Sequence, residues 1–147
     1  MSEIYGIGSD IVGVARMVKA VERRGDKLAG RVLAPAEWEV YRPLRTENPR
    51  AASSFLAKRF AAKEAAVKAM GTGFRDGITL NSIEVSNNSL GAPQLRFSGM
   101  AAEFCRRHGI TKALISLADE REYAVAFVTL LCDPKSKPSE AVTRNKV

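Results

Sequence analysis

One segment constrains this chain more than any other: residues 59–73, RFAAKEAAVKAMGTG. Strong helix formers dominate it, Ser53 and Ser54 offer an N-cap upstream, and Gly71 stands where a helix would stop. At about 100° per residue, Leu56, Phe60, Val67 and Met70 share one stripe, while Ala62, Ala65, Ala66 and Ala69 cover most of the opposite side. Both faces are therefore expected to be buried. Such a helix has little reason to carry Arg59, Lys63, Glu64 and Lys68 unless those charges have partners, because an unpaired buried charge costs roughly several kcal/mol. Glu64 and Lys68 are neighbours at i,i+4, as are Arg59 and Lys63. Cations around one carboxylate suit a site that holds a metal ion together with phosphate oxygens. Helix-surface ion pairs are the simpler explanation of the same pattern.

A second constraint lies at the N-terminus. Residues 4–12 alternate as a strand, with Tyr5, Ile7 and Ile11 expected on one face and Ile4, Gly6, Gly8, Asp10 and Val12 on the other. Gly6 and Gly8 clear the Asp10 face, so that another backbone or helix can approach closely. A carboxylate in an apolar strand is a ligand or a hydrogen-bonded structural group, the simplest case being a cap for the next helix. The string from Gly6 to Ile11 faintly resembles a dinucleotide fingerprint, but it lacks the third glycine and a βαβ continuation.

The rest of the chain reads as α+β. An amphipathic helix from Val14 to about Arg24 bears Arg16, Lys19, Arg23 and Arg24 and stops at Gly25. A short helix is expected over residues 27–33, and Pro35 suits the first turn of another containing Glu37, Trp38 and Tyr41. Residues 43–54 read as loop. Strands are expected at 78–85 and 94–98, a helix at 99–108, and a last hairpin at 112–117 and 123–131. His108, the sole histidine, sits where a helix C-terminus favours it and is not counted as catalytic. Residues 1–132 form one domain, and 133–147 a polar, disordered tail.

Composition narrows the partner and the compartment. A net charge of +7 and a pI near 9.7 favour an anionic partner without choosing among nucleic acid, a phosphorylated metabolite and an acidic protein. Cys105 and Cys132 have no metal-site spacing and read as reduced core thiols. No apolar run approaches the ~20 residues that span a bilayer, and the acidic start is no signal peptide. A cytoplasmic protein with no membrane partner is expected.

The strand ending in Gly6-Ile7-Gly8-Ser9-Asp10-Ile11-Val12, then Arg16, and some way on Arg59-Phe60-Ala61-Ala62-Lys63-Glu64-Ala65, Lys68-Ala69 and Gly71-Thr72-Gly73, resembles the holo-acyl-carrier-protein synthases. These are the small bacterial 4′-phosphopantetheinyl transferases. The resemblance extends from Ile4 to Leu131 and includes Arg31-Val32-Leu33, Glu37-Trp38 and Tyr123-Ala124-Val125-Ala126. It implies helices packed on a small antiparallel sheet, and a homotrimer with sites between subunits. The implied reaction carries phosphopantetheine from coenzyme A to a serine of apo acyl carrier protein, in fatty acid biosynthesis, releasing adenosine 3′,5′-bisphosphate.

By the same resemblance Asp10 and Glu64 are the Mg²⁺ ligands, and hard carboxylates are what that ion requires. Lys68 is the lysine at the phosphates, catalytic together with Glu64. Arg59, Lys63, Gly71 and Thr72 are further cofactor-binding candidates. The basic helix then has a natural partner, with Arg16, Arg23 and Arg24 docking the acidic carrier protein. One departure stands out: where many members carry Ser-x-Ser/Thr-His, this chain has Ser116-Leu117-Ala118-Asp119, with Asp119 in the histidine slot. The general base stays open among Glu64, Asp119 and a metal-bound water. Two other readings remain, a basic nucleic-acid-binding module and a noncatalytic relative. The first leaves Asp10 and Glu64 unexplained, since carboxylates repel phosphate unless a metal intervenes, and its aromatics are sparse.

Overall fold

A computed structural model describes residues 1–75 and 77–136. The expected central helix is α4 (Pro49–Met70), 22 residues or about 33 Å long. Thirteen of its residues are buried, charged ones included. It starts earlier than expected. Asn48 is the N-cap, its side chain accepting from the Ala51 N–H, and Pro49 takes the first helical position. Ser53 and Ser54 thus lie inside the helix. Gly71 ends it in the left-handed conformation, φ 78°, its N–H bonded to the Val67 and Lys68 carbonyls.

Alanines make the helix slim, and β1 (Glu3–Gly13) lies directly against it. A Cβ on Gly6 would stand 2.1 Å from the Ala69 carbonyl oxygen, and one on Gly8 would stand 2.1 Å from that of Ala65. The cleared face therefore does admit a helix backbone. A bulge at Tyr5 corrects the expected faces at the strand's start: Ile4 pairs with Leu131 and Gly6 with Leu130, leaving Tyr5 as the extra residue. Ile4 consequently points outward, and Tyr5 packs inward against Phe104 and His108.

The remaining elements are α1 (Val14–Arg24), α2 (Asp26–Val32), α3 (Pro35–Glu47), β2 (Ile83–Asn87), β3 (Pro93–Phe97), α5 (Gly99–Arg107), β4 (Ile110–Asp119) and β5 (Tyr123–Cys132). The main sheet is antiparallel in the order β1-β5-β4, while β2 and β3 pair as a separate hairpin. Ala124, Ala126, Val128 and Leu130 of β5 face α4 and are buried. The opposite face of the sheet carries Ile7, Ile11, Phe127 and Leu114 at 72, 62, 58 and 46% exposure. Paired rows such as Ser9-Phe127-Ser116 run across it.

Two expectations need correction. Residues 43–54 are helical apart from Asn48, because Pro43 removes only one ladder bond from α3 and Pro49 begins the next helix instead of ending one. Residues 78–82 are not strand: Leu80–Ser82 is a 3-10 turn closed by Ser82 on Thr79. In the expected tail, Pro134–Ser136 forms another such turn, and residues 137–147 lie outside the described residues. Both cysteines are buried and free, and burial pushes the Cys105 thiol up to about 11. No helix among the described residues is long and apolar enough to cross a membrane.

Candidate active site

Asp10 projects from β1 toward α4, its side chain 17% exposed, and does not cap a helix. Gly13, without a side-chain bond, is the N-cap of α1. Beyond the bulge the even positions of β1 face α4, and Gly8 brings the strand onto the helix at Ala65 and Lys68. Lys68 Nζ accordingly donates to Asp10 Oδ1 at 3.1 Å and to the Ser9 carbonyl at 3.0 Å. Glu64 lies beside them. Desolvation first, and the Asp10 charge second, raise its carboxyl above the ordinary range, against the lowering effect of Lys68.

Asp10 and Glu64 line one cleft of about 450 Å³ together with Arg16, Lys19 and Arg23 of α1. Its apolar floor is Met17, Ala20, Leu28 and Phe60. The two carboxylates expected at the site, from β1 and from α4, thus share a cavity. Arg24 opens onto a neighbouring cavity of about 440 Å³ with Arg23, Lys27 and Arg31. Sequence reasoning gave Lys27 and Arg31 no role at a site, and of the apolar floor it named only Phe60, as part of a core stripe. The i,i+4 spacing of Lys27 and Arg31 carries a signal for the basic pair, whereas the floor requires knowing how α1, α2 and α4 meet.

Two carboxylates in one partly desolvated cleft, one of them with a raised pKa, create a demand for a cation. Among the described residues no third carboxylate, histidine or cysteine joins them as a cluster. That donor set is too small for a fully protein-ligated ion. It fits Mg²⁺, which keeps waters and is commonly held by one or two carboxylates plus substrate phosphates.

Lys63 is the clearest correction among the expected site residues. Its side chain is fully buried, and its ammonium donates to Glu37 Oε1 and to the Val32 carbonyl, turned away from the cleft. Glu37, in the first turn of α3, is a hub that sequence reasoning did not foresee. Its Oε1 also accepts from the Ala34 N–H at 2.7 Å, and its Oε2 from the Val85 N–H at 3.2 Å. Arg59 belongs to this hub as well. Its Nε lies 3.3 Å from Glu37 Oε2 without a hydrogen-bonding alignment, and its guanidinium covers the Phe55 ring at 4.4 Å. Burial pulls the pKa of Arg59 and of Lys63 down, and Glu37 opposes this in both. The cations expected at a cofactor therefore tie α4 to α3 and β2.

Gly71 and Thr72 follow Lys68 at the end of α4. A Cβ on Gly71 would meet nothing within 4 Å, and the Thr72 hydroxyl donates to the Gly73 carbonyl at 2.8 Å. Asp119 is remote from Asp10. It pairs through Ala124 with Val12, two strands across and two residues along, which is roughly 10 Å sideways at ordinary strand spacing. It forms an ion pair with Lys58 at 3.7 Å and lines a separate cavity of about 720 Å³ with Asn48, Arg50, Ser54 and Arg121.

A pair of carboxylates flanked by cations is thus built where a glycine-cleared strand meets an alanine-rich helix. The particular family is settled by similarity. Residues 6–128 match the 4′-phosphopantetheinyl transferase superfamily, and the chain belongs to it. The holo-[acyl-carrier-protein] synthase of Halorhodospira halophila is 53% identical over 128 residues, covering 87% of this chain and 98% of that relative. Among solved structures, the synthase of Neisseria meningitidis is similar with a TM-score of 0.78 at 35% identity, covering 87% of this chain and 98% of the other. The Bacillus anthracis synthase, in complex with CoA (3′,5′-ADP), gives a TM-score of 0.71 at 34% identity, covering 88% and 98%. These relatives share the α+β arrangement of helices packed on small antiparallel sheets.

Proposed function

We propose that this chain transfers 4′-phosphopantetheine from coenzyme A to a serine of apo acyl carrier protein. The observation that carries the reading is the convergence of Asp10, Glu64, Arg16 and Arg23 on one cleft, with Lys68 beside Asp10. The serine oxygen attacks the β-phosphorus of the pyrophosphate, and adenosine 3′,5′-bisphosphate departs. Asp10 and Glu64 hold Mg²⁺, which when bound supplies the positive charge that offsets the pyrophosphate. Lys68 grips phosphate oxygens and orients the group under attack. Gly71 and Thr72 leave room for the cofactor beyond the end of α4. Family membership and this cleft favour the transferase over a basic nucleic-acid-binding module or an inactive relative.

Of the two side chains considered as proton acceptor, Glu64 lies in the cleft while Asp119 is remote within the same subunit. Proximity therefore favours Glu64, through an oxygen not committed to the ion, over Asp119. Arg16 and Arg23 line the same cleft around the floor of Met17, Leu28 and Phe60, and Arg24 extends the basic surface. An acidic carrier with an apolar helix face suits such a surface. The exposed apolar face of the sheet supports self-association, because a row of Ile7, Ile11 and Phe127 in water is an association surface; the homotrimer itself follows from the family resemblance. The reading places the enzyme in fatty acid biosynthesis in the cytoplasm.

The test is transfer from coenzyme A to purified apo acyl carrier protein with Mg²⁺, followed by mass spectrometry of the carrier. The parent chain is expected to modify the carrier, and folded Asp10→Asn to lose nearly all turnover. Parent-like turnover by Asp10→Asn would refute the assignment of the site.

A further inference from the structure

Lys68 does two things that conflict. As a phosphate ligand it should face the cofactor, yet here its ammonium lies on Asp10 Oδ1 at 3.1 Å, anchored also by the Ser9 carbonyl at 3.0 Å. The side chain is 53% exposed, so packing does not hold it there. Asp10 attracts it because the carboxylate is only 17% exposed and shares the cleft with Glu64. A divalent ion arriving at Asp10 would therefore meet a positive charge already in contact with its ligand.

We propose that Lys68 is a gate on the metal site: it neutralises Asp10 in the free enzyme and opposes metal entry until an anionic pyrophosphate draws the ammonium away. This inference rests on the reading of Asp10 and Glu64 as metal ligands, and it adds a binding order that the reading does not contain. Without cofactor, the ion and Lys68 compete for one carboxylate. With a pyrophosphate present, the ammonium can turn to phosphate oxygens while keeping the Ser9 carbonyl, and Asp10 is freed. Metal and cofactor then tighten each other's binding beyond the effect of direct coordination, and such a coupling is reciprocal.

Mn²⁺, followed by the loss of its free-ion EPR signal, is a suitable probe of the metal-free protein. Lys68→Met is expected to bind Mn²⁺ on the order of tenfold more tightly than the parent chain. That is the scale Coulomb's law gives for +1 and +2 charges a few ångströms apart in a solvated cleft. Lys68→Arg keeps the charge and should bind Mn²⁺ as weakly as the parent. The factor by which coenzyme A tightens Mn²⁺ should shrink in Lys68→Met by about the same tenfold. Unchanged or weaker Mn²⁺ binding by Lys68→Met, or equal tightening by Lys68→Arg, would overturn the gate. Asp10→Asn separates the two levels. If it binds Mn²⁺ as the parent does, the metal-site reading fails. If it loses Mn²⁺ while Lys68→Met matches the parent, the gate alone fails.

Discussion

Replacing Gly8 by alanine tests whether the close approach of β1 and α4 builds the site. The backbone there is outside the left-handed region, so alanine is not conformationally strained and the effect is steric. The added Cβ would lie 2.1 Å from the Ala65 carbonyl oxygen, 2.7 Å from the Ala69 nitrogen and 3.0 Å from Lys68 Cβ. Two of these are backbone atoms inside a buried helix and cannot swing aside. Ordinary van der Waals contact begins at 3.4 Å, so α4 must retreat from β1 by about 1 Å. Overpacking of this kind costs about 1–3 kcal/mol, and backbone collisions put Gly8→Ala near the upper end.

The same displacement separates Asp10 from Glu64 and breaks the 3.1 Å contact with Lys68. A misplacement of about 1 Å in reacting groups lowers turnover by roughly a hundredfold. The assay pairs urea unfolding with kcat/KM for carrier modification on the folded fraction. Gly30→Ala, in α2, is the control: its Cβ would approach nothing nearer than the Trp38 ring at 3.9 Å, and it should add about 0.5–1 kcal/mol of helix stability. If Gly8→Ala keeps parent stability and turnover within about twofold, helix-strand proximity does not set the geometry of the site.

The remaining predictions concern charge. Glu64 has a raised folded pKa, so its stability contribution is present below the unfolded range and lost as pH rises through the folded value. Glu64→Gln should therefore raise Tm at pH 7 without metal, and the gain should vanish below about pH 4; a constant gain at both pH values would contradict the sign. Lys63→Met leaves Glu37 short of a buried partner and should lose about 3 kcal/mol in urea unfolding, with Lys63→Met/Glu37→Gln recovering part of it. An exposed, dispensable Lys63 would show no loss. Reversing Arg16 and Arg23 to Glu should raise the KM for carrier protein about tenfold or more at low salt, and by more than it raises that for coenzyme A; unaltered carrier KM across a salt titration would mark the helix as a solvated face. Phe127→Glu should shift the sedimentation of a trimer toward monomer, and unchanged sedimentation would exclude the exposed sheet face as the interface.

Local chemistry made much of this protein legible from its sequence. Alanine density and the glycine stop announce α4, the Gly6–Gly8 pair announces a close approach, and the spacing of Asp10, Glu64 and Lys68 within a family pattern singles out three charges that meet where β1 lies on α4. Those signals are short-range, carried by propensity, periodicity and the absence of a Cβ. What lay beyond them needed contacts between distant residues. Pro43 and Pro49 read as loop because proline disfavours helix interiors, yet one ladder bond is a small loss in a packed helix and the N1 position loses none. The bulge at Tyr5 arises from pairing with β5, which residues 4–12 alone do not encode.

The charges on α4 divide by the same logic. Arg59, Lys63, Glu64 and Lys68 look alike as helix residues, but rotation about the axis sends Lys63 and Arg59 to Glu37 on α3, and Glu64 and Lys68 to Asp10 on β1. Sequence by itself determined that these charges required partners. Only the tertiary structure decided which partner each received, because a helix presents its sides to neighbours whose positions depend on the whole packed chain.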